Sequence, residues 1–266
     1  MISIPHQSIA AIGRQISPLI ENHALRSFRS MLTGPGVRHG RGFVSVVTGE
    51  QNPFGNFLCA ARDLDLASMT SAIAPLVGCG APSAILFCGA IDAHTESALD
   101  ANGFKRSDGI TAQAVNVDEV AACSLPNGYV FARANDPAER AAWADVFARA
   151  YSIPFGAALP FTGPIGVQTA PDASVQYFWI LKGDQPVCTS VLSLDDGVAG
   201  LYAIATVADE RGKGLGAFAT AEPLRVARAL GFRVGVLQAT QAGLPVYRRL
   251  GFRDFGELPL YLRMTV

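Results

Sequence analysis

The chain has 266 residues, half of them apolar and 16% charged, with a formal net charge of −1. That length supports one large or two ordinary domains with an ample core, and the composition argues against disorder. Lys and Arg are scattered and form no basic run, which argues against a nucleic-acid partner. The five cysteines (Cys59, Cys79, Cys88, Cys123 and Cys188) are odd in number, widely spaced and without a C-x-x-C pair. They fit neither a disulfide framework nor a zinc site, so reduced thiols and no metal are expected.

In residues 1–20, His6, Gln7, Arg14 and Gln15 interrupt the apolar run, so no signal peptide is indicated. The most apolar window, 83–91, is far shorter than the roughly 20 residues that cross a bilayer. A cytoplasmic protein with no membrane partner is the expectation.

Apolar spacing predicts one or two helices over 7–32, interrupted at Pro18. Short strands follow at 42–47 and 56–61, then a helix at 64–76, a buried strand at 84–88 and a helix at 95–101 stopped by Asn102-Gly103. Alternation at 110–117 predicts the last strand of this half. His6, His23, His39 and His94 stand apart from one another and read as surface or capping residues. Glu21, Asp63, Asp65, Asp92 and Glu96 read as solvated carboxylates. Ser124-Leu125-Pro126-Asn127-Gly128 marks a boundary near 125.

The second half opens with a strand at 129–134. Asp136 is its helix N-cap and Pro137 the first-turn residue of a helix to Tyr151. A Pro- and Gly-rich loop, 153–166, carries Phe155, Leu159, Phe161 and Ile165, as do loops that line a ligand pocket and loops that pack under a domain interface. Strands at 175–181, 187–194 and 199–207 then form an antiparallel series joined by turns at 182–186 and 195–197. They lead into Arg211-Gly212-Lys213-Gly214-Leu215-Gly216, followed by a helix at 217–230, a strand at 233–238, a helix at 244–250 and a closing strand or hairpin at 252–266. The two halves echo each other at an offset of 148, where Leu99-Asp100-Ala101-Asn102-Gly103-Phe104 answers Tyr247-Arg248-Arg249-Leu250-Gly251-Phe252.

The glycine-rich stretch is a strand, a tight turn and a helix start. Glycines at 212, 214 and 216 let a ligand approach the backbone and permit positive φ. Free N–H groups at the positive end of a helix attract phosphate, and Arg211 and Lys213 add charge. The spacing departs from a P-loop, which needs Gly-Lys-Ser/Thr, and from Gly-x-Gly-x-x-Gly.

This order of elements, with Arg-x-x-Gly-x-Gly at 211–216 and the Tyr247 to Phe252 segment, resembles the GCN5-related N-acetyltransferase family. The likeness covers about 129–266, and the first half matches it only as a degenerate copy. It implies an α/β (α+β type) fold of two tandem domains, each a mixed, mostly antiparallel twisted sheet flanked by helices. Residues 1–125 would be the copy lacking the phosphate turn and 126–266 the catalytic copy.

The resemblance also implies acetyl-CoA as cofactor. Its pyrophosphate would lie on the amides of Arg211, Gly212, Lys213, Gly214, Leu215 and Gly216, and its pantetheine along Ala205, Thr206 and Val207 as an added strand. Gln238 could contact it. Tyr247 would be the general acid, since a phenol of pKa roughly 10 is protonated at neutral pH and can protonate a departing thiolate. The base stays open among Glu222, Asp195, Asp196, Tyr202 and a bound water. The expected acceptor is a primary amine of a small molecule, amino acid or peptide N-terminus, on a monomer or homodimer. The alternative is a non-catalytic module that responds to acyl-CoA.

Overall fold

The computed structural model describes residues 8–164 and 173–265. Its first elements are α1 (Ile9–Ile12), a 3-10 turn (Gly13–Gln15) and α2 (Ile16–Met31). The predicted break therefore falls at Gly13, with φ +56°, and not at Pro18. Pro18 sits in the first turn of α2, where a missing N–H leaves no hydrogen bond unmade.

The first half continues with β1 (Val37–Gly40), β2 (Phe43–Val47), β3 (Asn56–Ala61), α3 (Leu66–Gly78), β4 (Ser83–Cys88), α4 (Ala93–Ala101), β5 (Lys105–Arg106) and β6 (Ile110–Asn116). The second comprises β7 (Tyr129–Arg133), α5 (Pro137–Tyr151), α6 (Phe155–Ala158), β8 (Val175–Lys182), β9 (Gln185–Asp195), β10 (Val198–Thr206), α7 (Leu215–Ala229), β11 (Val234–Ala239), α8 (Leu244–Arg249), β12 (Arg253–Leu258) and β13 (Leu260–Arg263). Asp136 and Glu139 form the capping box that starts α5. The loop predicted at 153–166 is ordered into α6 and a 3-10 turn at Leu159–Thr162. Ile165 and Gly166 lie outside the described residues.

The strands form two mixed sheets, in the orders β1-β2-β3-β4-β13-β5 and β12-β6-β11-β10-β9-β8-β7. The orders correspond. In each sheet one parallel pair, β3 with β4 or β10 with β11, is joined by a helix, and antiparallel strands extend it on both sides. The strand beside the second member of each pair comes from the other half of the chain. β13 enters the first sheet between β4 and β5, and β6 enters the second between β11 and β12.

Two sequence expectations are corrected here. The strand at 110–117 does not close the sheet of its own half, and 252–266 is not a hairpin. Alternation reveals a strand but not its partner. β6 carries buried residues on both faces, Ala112 and Ala114 on one, Gln113 and Val115 on the other, as a central strand must. Pro259 separates β12 from β13, and its carbonyl accepts from Phe87 N–H on β4 at 3.0 Å. A cut at 125 thus leaves each sheet one strand short.

Helix α2 packs against both sheets. Its Ile16, Ile20, Ala24 and Met31 share a core with Val44, Cys59 and Leu86 of the first sheet and Val198, Tyr202 and Val236 of the second. The internal echo has a physical counterpart at two helix ends. Gly103 and Gly251 both have positive φ, and Phe104 N–H to Leu99 O and Phe252 N–H to Tyr247 O both measure 3.0 Å.

Candidate active site

β10 and β11 are paired only from Val198 with Val234 to Leu201 with Leu237. Beyond that point β10 follows β9, while Gln238 and Ala239 follow β6, so the sheet opens into a fork. A bulge between Tyr202 and Ala205 bends β10 away. Within it Ala203 takes φ +47°, which costs an alanine roughly 1 kcal/mol. The Thr189 hydroxyl holds the bulge by donating to Ala203 O at 2.8 Å. Ala205 and Thr206 keep their pairing with Thr189 and Cys188, leaving their other edge to the fork.

The chain leaves the fork through Val207 and a 3-10 turn, Ala208–Glu210, into the glycine-rich turn. Gly212 and Gly214 have φ of +79° and +81°, and a Cβ at either would meet nothing within 4 Å. Among the described residues, no protein acceptor takes the N–H of Gly212, Lys213 or Gly214. α7 starts at Leu215 with no side-chain cap, and Leu215 is buried, anchoring the turn beside Val146 and Ala219. The result is an open cradle of N–H groups at a helix N-terminus, which fits a phosphate or pyrophosphate.

The charged residues of the turn have further work. Arg211 donates from Nε to Thr206 O at 3.1 Å and from Nη2 to Ala150 O at 2.6 Å, bracing the turn against β10 and α5. Lys213 Nζ lies 2.7 Å from Glu210, whose carboxylate also pairs with Lys182 at 2.9 Å and accepts from the Tyr129 hydroxyl. Lys213, then Tyr129 and Lys182, hold the Glu210 carboxyl down at about 2.

Tyr247 lies on α8, with Gly243 beneath its ring and Phe252 facing it at 6.0 Å. Burial pushes its phenol pKa above the ordinary value, and the nearby Tyr151 and Cys188 push the same way. Tyr151, the last residue of α5, had no signal in the sequence beyond being aromatic. Here its chain neighbour Ala150 accepts from Arg211, and its ring touches Phe54 of the first half, ring centroids 5.4 Å apart.

Among the described residues, Gln238 Nε2 is buried at the fork with no geometrically formed hydrogen bond, close to the Tyr202 hydroxyl. Near it, Tyr202 hydrogen-bonds His23 Nδ1 at 3.0 Å, Ser27 Oγ lies 3.1 Å from the same nitrogen, and Ser27 donates to Ser193 at 2.8 Å. His23 is thus a core residue, correcting its reading as a surface or capping residue. The signal was its spacing, since it falls three and four residues after Ile20 and Leu19 on the buried face of α2. The ring fits because residue 200 is glycine, where a Cβ would collide with it. Of the candidate bases, Glu222 is paired with Arg225 at 2.5 Å, and Asp195 and Asp196 with Arg26.

The corresponding place in the first sheet is closed. β3 and β4 stay paired from Phe57 with Ala84 to Ala61 with Cys88, so no fork opens. The Asp65 carboxylate accepts from Ser68 N–H at 2.9 Å at the start of α3, where a phosphate would otherwise sit. Among the described residues no helix is long and apolar enough to cross a membrane.

The family model for the acetyltransferase (GNAT) family matches residues 140–252, a segment that includes the fork, the turn and Tyr247. A GCN5-related N-acetyltransferase from Kribbella flavida matches with a TM-score of 0.59 at 19% identity, over 93% of this chain and 94% of that one. One from Sphaerobacter thermophilus gives 0.57 at 17%, over 91% and 84%. A putative GNAT acetyltransferase from Novosphingobium aromaticivorans gives 0.52 at 11%, over 96% and 99%. At these identities the likeness is one of fold, and it spans both sheets. No curated protein matches the sequence. The GNAT match begins at Arg140, so α2 with His23, the first sheet and β13 fall outside it.

Proposed function

We propose that this chain is an N-acetyltransferase that moves an acetyl group from acetyl-CoA to a primary amine of a small molecule, amino acid or peptide N-terminus. The observation that carries this reading is the fork between β10 and β11 ending in an open N–H cradle at the start of α7. Bound acetyl-CoA supplies an acyl thioester open to direct attack by a neutral amine.

The main chain of Ala205, Thr206 and Val207 offers its free edge to the pantetheine arm, and the N–H groups of Gly212, Lys213, Gly214, Leu215 and Gly216 hold the pyrophosphate. Arg211 positions that turn, and Lys213 adds charge beside it. Gln238 lies on the opposite prong of the fork, within reach of cofactor or acceptor. Tyr247, kept protonated by its buried setting, is the proton donor to the leaving thiolate.

Residues 126–266 form the catalytic unit and 1–125 a degenerate copy, each completed by the other's strand. The five free thiols suit a reducing, cytoplasmic setting for a monomer or homodimer. The test is a thermal-shift screen with CoA and acetyl-CoA, followed by CoA release on an amine panel. Stabilisation by acetyl-CoA and amine-dependent release are expected. Stabilisation by NAD or ATP and not by CoA would overturn the reading.

A further inference from the structure

The first half has no fork of its own, yet its Phe54 rests on Tyr151 at the end of α5, the helix end that Arg211 ties to Thr206 of the second half's fork. The loop between β2 and β3 is built on Asn56, a fully buried side chain. Its Nδ2 donates to Glu50 O at 2.8 Å, Asn52 O at 3.3 Å and Pro82 O at 2.9 Å, and its Oδ1 accepts from Gly49 N–H at 3.0 Å. This fixes Glu50 and Phe54 in place. Phe54 packs on Tyr151, whose chain neighbour Ala150 accepts from Arg211 Nη2 of the glycine-rich turn at 2.6 Å. The Glu50 carboxylate lies against α6 so closely that a Cβ on Gly156 would collide with it.

Two features of this junction are left unexplained by packing alone. At this junction Tyr151, Phe155 and Leu159 are 38%, 44% and 42% exposed, three large apolar side chains left uncovered within nine residues. Beside it, Glu50 is half-buried and, among the described residues, forms no ion pair. A lone carboxylate next to aromatic faces attracts an organic cation and the apolar body attached to it.

We propose that Glu50 and Phe54 of the first half, with Tyr151, Phe155 and Leu159 of the second, form the acceptor subsite, selecting an amine that carries an aromatic group. Glu50 draws the protonated amine to the mouth, the ammonium gives up its proton to water there, and the aromatic body rests on Phe54 and Tyr151 while the neutral amine passes to the fork. An acceptor with its own carboxylate is repelled by Glu50. The inference rests on the acetyltransferase reading and names its substrate class.

The test compares 2-phenylethylamine, phenylalaninamide, phenylalanine and n-butylamine as acceptors with acetyl-CoA, and measures binding of 2-phenylethylamine by calorimetry with CoA present. Expected kcat/KM is about tenfold higher for 2-phenylethylamine than for n-butylamine or phenylalanine. Glu50→Gln should raise KM for 2-phenylethylamine about tenfold with kcat within twofold, and Phe155→Ser should lower the aromatic preference. Absence of 2-phenylethylamine binding, or turnover of all four amines without preference and unchanged by Glu50→Gln, would overturn the subsite. So would a Phe155→Ser variant that alters oligomeric state alone. Calorimetric binding without any CoA release would instead overturn the acetyltransferase reading and leave the subsite standing.

Discussion

His23 Nδ1 lies 3.0 Å from the Tyr202 hydroxyl, and the two rings lie within 6° of parallel with centroids 6.1 Å apart. The pair joins a helix of the first half to the fork of the second. Burial lowers the His23 pKa to about 4, against 6.5 in an unfolded chain; Asp195 opposes this and Arg26 adds to it. Between these values the unfolded chain binds a proton that the folded chain refuses. His23 therefore contributes stability that is fully present above pH 6.5 and is lost as pH falls from 6.5 toward 4, about 3 kcal/mol in all. Denaturant unfolding at pH 7 and pH 4.5 should show a loss that His23→Gln largely removes, the remainder belonging to carboxylates such as Glu210. An unchanged slope in the variant would refute the assignment.

The glycine turn makes a separate prediction. Gly214→Ala forces φ +81° on a residue with a side chain, at about 1 kcal/mol. The added methyl meets open space, so the fold should survive with Tm a few degrees lower. The methyl would, however, fill the space a phosphate needs. Acetyl-CoA affinity by calorimetry should fall at least about tenfold, out of proportion to the stability change.

Tyr247→Phe keeps the ring against Phe252 and removes only the hydroxyl. If that hydroxyl protonates the thiolate, kcat should fall about 100-fold with KM for acetyl-CoA unchanged. Gly243→Ala offers a second route, since its Cβ would press on the Tyr247 ring at 2.7 Å and turn it aside. The same kcat loss is expected there with the phenol still present. Unaltered turnover in Tyr247→Phe would remove the residue from the mechanism.

Local chemistry made much of this site legible. Asp136 and Pro137 announced α5, the glycine turn announced an N–H cradle, and the Gly-Phe echo announced two helix ends that share their hydrogen bonds. Long-range pairing was not legible, because the alternation of β6 is the same whichever sheet receives it. His23 carried a local signal in its spacing, but one at odds with its residue type. It occupies a helix position that suits leucine, and only Gly200, remote in sequence, makes room for its ring. Tyr151 and Glu50 gain their meaning from a junction between the halves that no local pattern encodes.

The exchanged strands bear on whether the halves can be parted. β6 is central in the second sheet, bonded to β11 on one side and β12 on the other. Residues 126–266 alone would leave both neighbours with unpaired edges and uncover Val236, which shares its core with α2. Residues 1–125 alone would lack β13 and leave β4 an open edge. Each fragment should therefore be insoluble or molten when expressed singly, and the two should be recovered as a folded complex when co-expressed. By contrast, a fragment of 108–266, which retains β6, should keep more of its second sheet than 126–266 does. Circular dichroism and amide exchange on the fragments would decide the matter: a cooperatively folded 126–266 would show that the borrowed strand is dispensable.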